Sequence, residues 1–261
     1  MGAWRVVETL ARTGGFGIQV TRRRLLETFQ HFLDVAEDVD SVKPGGKGFV
    51  SSVRVRLLHA SVRRRLMKLE REKPGYFNTE LWGVPINDLH CMGTVIVYSA
   101  SLIWLSLPRQ GVELTEQQTE DYLALWRWVG HILGTPVDWM ATPSQAKAMM
   151  ESLVLSEFGP SRNSQIIANN LLTAECNAPP LHARREYLAA VAYRLNGHDL
   201  SAALGIEKPP FYYGVLASIQ CFILMCSSYS YPWMSEAQHK KRKEVCRSSI
   251  PFHLFCKIYH C

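Results

Sequence analysis

The sequence predicts an all-α protein, a single multi-helix globular domain, and three observations predict it. Apolar residues recur at spacings of three and four along most of the chain, the repeat of one helix face. Proline, glycine and an Asn-Gly pair fall between those periodic segments, where they end helices. Strand signals are nearly absent, and no low-complexity linker or internal repeat divides the body of the chain.

Residues 5–11 are weakly helical until Gly14, Gly15 and Gly17 interrupt the pattern. A helix is expected from Val20 to Asp38, with Leu25, Leu26, Phe29, Leu33 and Val35 as its apolar positions. The glycine-rich stretch 43–48 reads as a loop. A strong helix follows over 52–71, in which Val55, Leu58, Val62, Leu66 and Leu69 keep the helical repeat, and Pro74-Gly75 ends it. Residues 76–87 read as irregular. Asp88 is the expected N-cap of a long uncharged helix reaching Leu107, stopped by Pro108. Further helices are expected over 115–133, 143–158, 162–174, 181–195, 199–204 and 211–229.

With 261 residues, 47% of them hydrophobic, the chain can build one large core. The domain is expected to span 1–233, with 234–261 a basic Cys- and His-containing tail. The net charge of +6 is concentrated in clusters: Arg22 to Arg24, the run from Arg54 to Arg65, and Lys240 to Lys243. Such patches suit phosphates, lipid headgroups or carboxylates. Seven cysteines, an odd number with no CxxC pair, speak against a disulfide framework and for a reducing, intracellular compartment. The first ten residues lack a basic segment followed by an apolar run, so no signal peptide is expected. The uncharged run 211–226 is short for a membrane span and carries Gln220 in its middle, so it is expected to be buried or to lie at an interface.

The most informative segment holds Arg56, His59 and Arg63. At separations of three and four residues the three side chains share one helix face. Two neighbouring cations favour a neutral imidazole, and the neutral form ligates metals. Guanidinium groups bind carboxylates in a fork. Haem b, with an iron and two propionates, meets both requirements. Spacing alone leaves open a basic amphipathic helix carrying an incidental histidine. Arg24 and Thr28, four apart, share a face in the same way. His31, His90 and His131 read as satisfied or surface histidines, and there is no HExxH, ExxH, GxGxxG, Walker A or nucleophile-elbow pattern. Cys246, His253, Cys256, His260 and Cys261 match no common zinc module.

Taken in order, the motifs resemble the latex-clearing protein (rubber oxygenase) family, which includes fungal endoplasmic-reticulum oxygenases of the MpaB type. Arg24 and Thr28 match its Arg-x-x-x-Thr helix, and Arg56, His59 and Arg63 its Arg-x-x-His-x-x-x-Arg helix. Gly83-Val84-Pro85-Ile86-Asn87 and the apolar run after it match the family's next segment, and Trp126-Arg127 with Gly130 its Trp-Arg-x-x-Gly helix. The resemblance implies a globin-like haem-binding core with His59 as proximal iron ligand. It places Arg56 and Arg63 near the haem propionates and Arg24 and Thr28 on the distal side. It further implies a haem b-dependent oxygenase acting with O2 on an apolar, isoprenoid-like substrate, associated with the endoplasmic-reticulum membrane and not with nucleic acid. Related fungal proteins carry an N-terminal membrane segment, and the chain is expected to begin downstream of it. One position departs from the pattern: Glu27 stands where latex-clearing proteins have a lysine able to cap the iron. Glu27 is a poor sixth ligand and reads either as a base towards substrate or as leaving the sixth site to water, and polyisoprene is not assumed as the substrate. The alternative, from a different class, is a non-catalytic helical scaffold whose Arg-rich helix binds anionic lipid or RNA.

Overall fold

The computed structural model describes residues 4–179, 181–230 and 233. Their order is α1 (Trp4–Arg12), α2 (Ile18–Val35), α3 (Lys47–Glu72), α4 (Thr79–Trp82), α5 (Asp88–Tyr98), α6 (Glu116–Leu133), α7 (Pro143–Glu157), α8 (Arg162–Glu175), α9 (Arg185–Asn196), α10 (His198–Ala203) and α11 (Phe211–Tyr229). No strand joins them among the described residues. The tail 234–261, with its basic cluster and its cysteines and histidines, lies outside the described residues.

Local chemistry sets the ends of these helices. Thr115 and Gln118 close a capping box at the start of α6, and Gly134 ends that helix in the left-handed conformation, φ 78°. At α5 the structure corrects the expected cap. Asn87, not Asp88, is the N-cap, and its side chain accepts the His90 N–H at 3.0 Å. Nor does the helix run unbroken to Leu107. It stops at Tyr98, where the Ser99 hydroxyl donates back to the Val95 carbonyl, and resumes as a wide π turn over Leu102–Ser106. The helix expected from Leu181 starts at Arg185, after Asn177 and His182 have taken positive φ.

α6 lies at the centre. Trp126 stacks on Tyr98 at 5.5 Å between ring centroids and meets Phe32 and Tyr122 at its edges. Around it a core gathers residues from the end of α2, α5, the π turn, α6 and α7. A smaller cluster joins α8, α9 and α10. α2 and α3 cross closely: Gly48 lies against the backbone of Asp34 and Val35, and Ser41 Oγ accepts the Gly48 N–H at 3.0 Å. Because Asp34 meets Gly48 while His31 meets Ser51, the two helices run antiparallel.

Two stretches, Asp88–Ser106 and Phe211–Tyr229, are long and apolar enough to cross a membrane. The first builds the central core. The second, α11, packs on α9 and buries only Ala217 and Cys221. The four described cysteines are free thiols.

Candidate haem-binding site

α3 is 26 residues long, with α2 and α6 packed on it. Its two ends are anchored by Gly48, Ser52 and Leu66, yet no side chain from residue 53 to residue 65 is buried. Leu57 and Leu58, 64% and 42% exposed, are part of that stretch. The middle of the helix stays accessible although α2 and α6 pack on it, and Arg56, His59 and Arg63 lie on that middle.

The two arginines are held by backbone. Arg56 Nη1 donates to the Ile132 carbonyl at 3.1 Å, and its guanidinium lies so close to Gly134 that a Cβ there would be 3.0 Å from Cζ. The last carbonyls of a helix lack intrahelical donors and carry partial negative charge, so a cation is favoured there. Arg63 Nε donates to the Pro85 carbonyl at 3.2 Å and Nη2 to the Ile86 carbonyl. Ile86 has φ 55°, and this bend turns the 85–86 carbonyls toward α3. The arginines therefore peg α3 to the end of α6 and to the turn before α5, with His59 between the pegs.

His59 is half-buried, and neither of its ring nitrogens has a hydrogen bond to a described residue. Burial, and after it the Arg63 charge, lower its pKa, so the imidazole is neutral at pH 7 with a lone pair to offer. On α2, His31 sets Nδ1 2.8 Å from Ser51 Oγ. Burial and the facing His59 push its pKa down to about 4.

The α2 trio lies one to two turns before His31. The register that pairs His31 with Ser51 puts Arg24 level with Leu58 and His59 on the facing helix. Glu27 is ion-paired on both oxygens, Oε1 3.3 Å from Arg23 Nε and Oε2 3.4 Å from Arg24 Nη1. The Thr28 hydroxyl donates to the Arg24 carbonyl at 2.9 Å, which leaves its lone pairs free to accept. Glu27 is thus a clamp on two arginines, a role the sequence reading did not foresee.

The donor chemistry suits haem b. A neutral imidazole without a hydrogen bond can ligate iron, and Arg56 and Arg63 have further N–H groups beyond those given to carbonyls. A haem needs one protein ligand, and among the described residues no group of three or more His, Cys, Asp or Glu gathers as a metal site of another kind.

His31 and His131 match the sequence reading, the first bonded to Ser51 and the second exposed and stacked on Trp128. His90 does not. It is 5% exposed, and neither ring nitrogen has a partner within hydrogen-bonding geometry.

The family described as ER-bound oxygenase mpaB/B'/Rubber oxygenase, catalytic domain, matches residues 2–219. This chain belongs to that family. In this oxygenase family the chain is similar to a rubber oxygenase of Streptomyces sp. (strain K30), 23% identical over 193 residues, which cover 72% of the chain and 45% of the relative. The chain thus spans less than half the length of the curated relative it matches. No solved structure matches it.

Proposed function

We propose that this chain is a haem b-dependent oxygenase domain with a globin-like haem-holding core, acting with O2 on an apolar substrate. The observation that carries the reading is the neutral, unbonded His59 between two pegged arginines on the unburied middle of α3, in a chain of an oxygenase family.

In this reading His59 would hold the iron, and Arg56 and Arg63 would meet the propionates with their remaining N–H groups. Haem, when bound, supplies O2 binding and activation. The chain's own part is positional. The carbonyl anchors of Arg56 and Arg63 fix where the two guanidiniums stand. Arg24, level with Leu58 and His59 on the facing helix, offers cationic N–H groups and Thr28 a hydroxyl. Glu27 holds Arg24 in place and is available to accept a proton from substrate. Exposed Leu57 and Leu58 favour an apolar substrate over a charged one.

The test is the visible spectrum of the purified protein before and after dithionite and CO. A Soret band at about one haem per chain is expected, and His59→Ala should lose it while helical content stays. A pigment-free wild type supplied with haemin, or a His59→Ala variant that keeps the band, would refute the reading.

The partner surface proposed for the domain is a membrane face, contacted through α11, whose outward side is apolar.

A further inference from the structure

The arginine clusters of α2 and α3 fare differently in the fold. On α2, Arg22 pairs with Glu175, and Arg23 and Arg24 share Glu27. On α3, Arg54, Arg64 and Arg65 are exposed, and none of their side chains has an ion-pair or hydrogen-bond partner among the described residues. α3 carries no acidic residue before Glu70, and Lys68, paired with Glu72 at 3.6 Å, adds a fourth cation. Like charges one turn apart, such as Arg64 and Lys68, weaken a helix. The chain keeps this cationic face unneutralised against its own helix stability, and such a face attracts an anionic partner.

The face lies behind the candidate iron ligand. Ser52, His59 and Leu66 recur every seven residues on the inward side of α3, where Ser52 and Leu66 are buried and His59 is half-buried. Arg54, Ser61 and Lys68 follow them by two residues each, about 200° round the helix. All three are exposed, and Arg64 and Arg65 flank their row. A helix with its side chains is about 10–12 Å across, so a molecule seated on the basic face is one helix width from His59.

We propose that the outward face of α3 is the docking surface of a small acidic electron-donor protein. The donor's role rests on the haem reading above. O2 binds reduced haem iron, so an oxidised iron must first take one electron, which the donor protein loses. Redox encounters of this kind are small, and opposite charge steers them. Composition favours a protein over a lipid surface or a single-stranded RNA. Both of those are met with aromatic side chains, and from residue 50 to residue 75 there is no Trp, Tyr or Phe. The three unpaired cations are arginines, whose planar forks match carboxylates and which are enriched in protein interfaces where lysine is depleted.

The probe for the test is flavodoxin, a small acidic flavoprotein that donates single electrons. Its binding to the 15N-labelled full chain, with and without haem, is followed by NMR at low salt. Shifts centred on the outward face of α3 are expected, with affinity falling at least about tenfold when salt is raised to about 0.2 M. Arg54→Glu combined with Arg64→Glu and Arg65→Glu should cost at least about tenfold in affinity, and should slow anaerobic haem reduction by reduced flavodoxin to match, while helical content and the Soret band stay. The corresponding triple glutamine variant keeps the test if charge reversal unfolds the helix. A wild type that does not bind flavodoxin, or triple variants that bind it as tightly, would overturn the proposal. So would variants that lose phosphatidylserine vesicles or poly-U RNA while keeping flavodoxin, which would assign the face to lipid or RNA. Docking to the haem-free chain reads the surface alone, whereas a missing Soret band refutes the haem reading and with it the electron path.

Discussion

Three histidines, His31, His59 and His90, are held neutral by burial, and each faces another positive or titratable group. His31 faces His59, His59 faces Arg63, and His90 faces Arg5 and Arg63. For His31 and His90 the folded pKa is about 4, against 6.5 for the free side chain. Between those values the unfolded chain binds protons that the folded chain refuses. The stability they contribute is therefore complete above pH 6.5 and lost as pH falls toward 4. For His90 alone the loss is on the order of 3 kcal/mol at the lower end. Urea midpoints measured from pH 7.5 to pH 4.5 should fall steeply below 6.5, and His90→Leu should flatten part of that slope. An unchanged midpoint across the range would show that these rings stay solvated. At this scale the sequence was partly legible. Helical spacing alone put Arg56, His59 and Arg63 on one face. What makes His90 unusual depends on its burial and on Arg5, far away in the chain, and no local pattern carries that. The role of Glu27 escaped for a related reason: its neighbours Arg23 and Arg24 are adjacent in sequence, but only the helix geometry shows both turned onto one carboxylate. Glu27→Gln should cost under about 1 kcal/mol, since both pairs are partly exposed. It should keep the Soret band if Glu27 acts on substrate and not on iron, while turnover falls; a lost band would place Glu27 at the iron.

The helices themselves were mostly readable, because amphipathic repeat and capping residues are local signals. The break in α5 was not. Its apolar run continues past Ser99, and only the back-bonded serine and the wider turn after it divide the helix. The α2–α3 crossing was also invisible in sequence, where the glycines at 45, 46 and 48 look like an ordinary loop. Gly48 is instead the second residue of α3, and a Cβ there would stand 2.8 Å from the Asp34 carbonyl oxygen and 3.0 Å from Val35 Cα. Helix propensity favours alanine over glycine by about 1 kcal/mol. Collision with backbone, which cannot rotate away, opposes it by about 1–3 kcal/mol. Gly48→Ala should therefore lower Tm. Gly214→Ala in α11, where nothing lies within 4 Å of the added carbon, should raise it. Equal shifts in the two variants would mean that α2 and α3 do not approach as closely as the packing requires, and the placement of Arg24 opposite His59 would lose its support.

For the whole molecule the decisive feature is where apolar surface is left over. On α11, Ala217 and Cys221 face inward, and Met225 continues their row against Gly111. Turned away from them are Phe211, 88% exposed, Phe222, 60%, and Ile223, 62%, with Val215 and Ile219 on the same side. The helix has no charged residue from 211 to 229, aromatic residues stand at both its ends, and Lys240, Lys241, Arg242 and Lys243 follow in sequence. An apolar face with aromatic ends, and a basic run after it in sequence, is the pattern that the proposed contact with an anionic lipid surface requires. α9, on the other side of α11, carries Arg185, Glu186 and Arg194, which favours a helix lying in the interface over one that crosses it. Phosphatidylcholine vesicles with added phosphatidylserine should float the protein, and salt should weaken the effect. Phe222→Glu with Ile223→Glu should abolish flotation without unfolding the domain, since both side chains are exposed. Replacing the four basic residues by glutamine should remove the salt-sensitive share, about 1 kcal/mol per residue. A protein that does not float, or one that elutes as a dimer broken by the same Phe222 and Ile223 changes, would assign this face to a second copy of the chain.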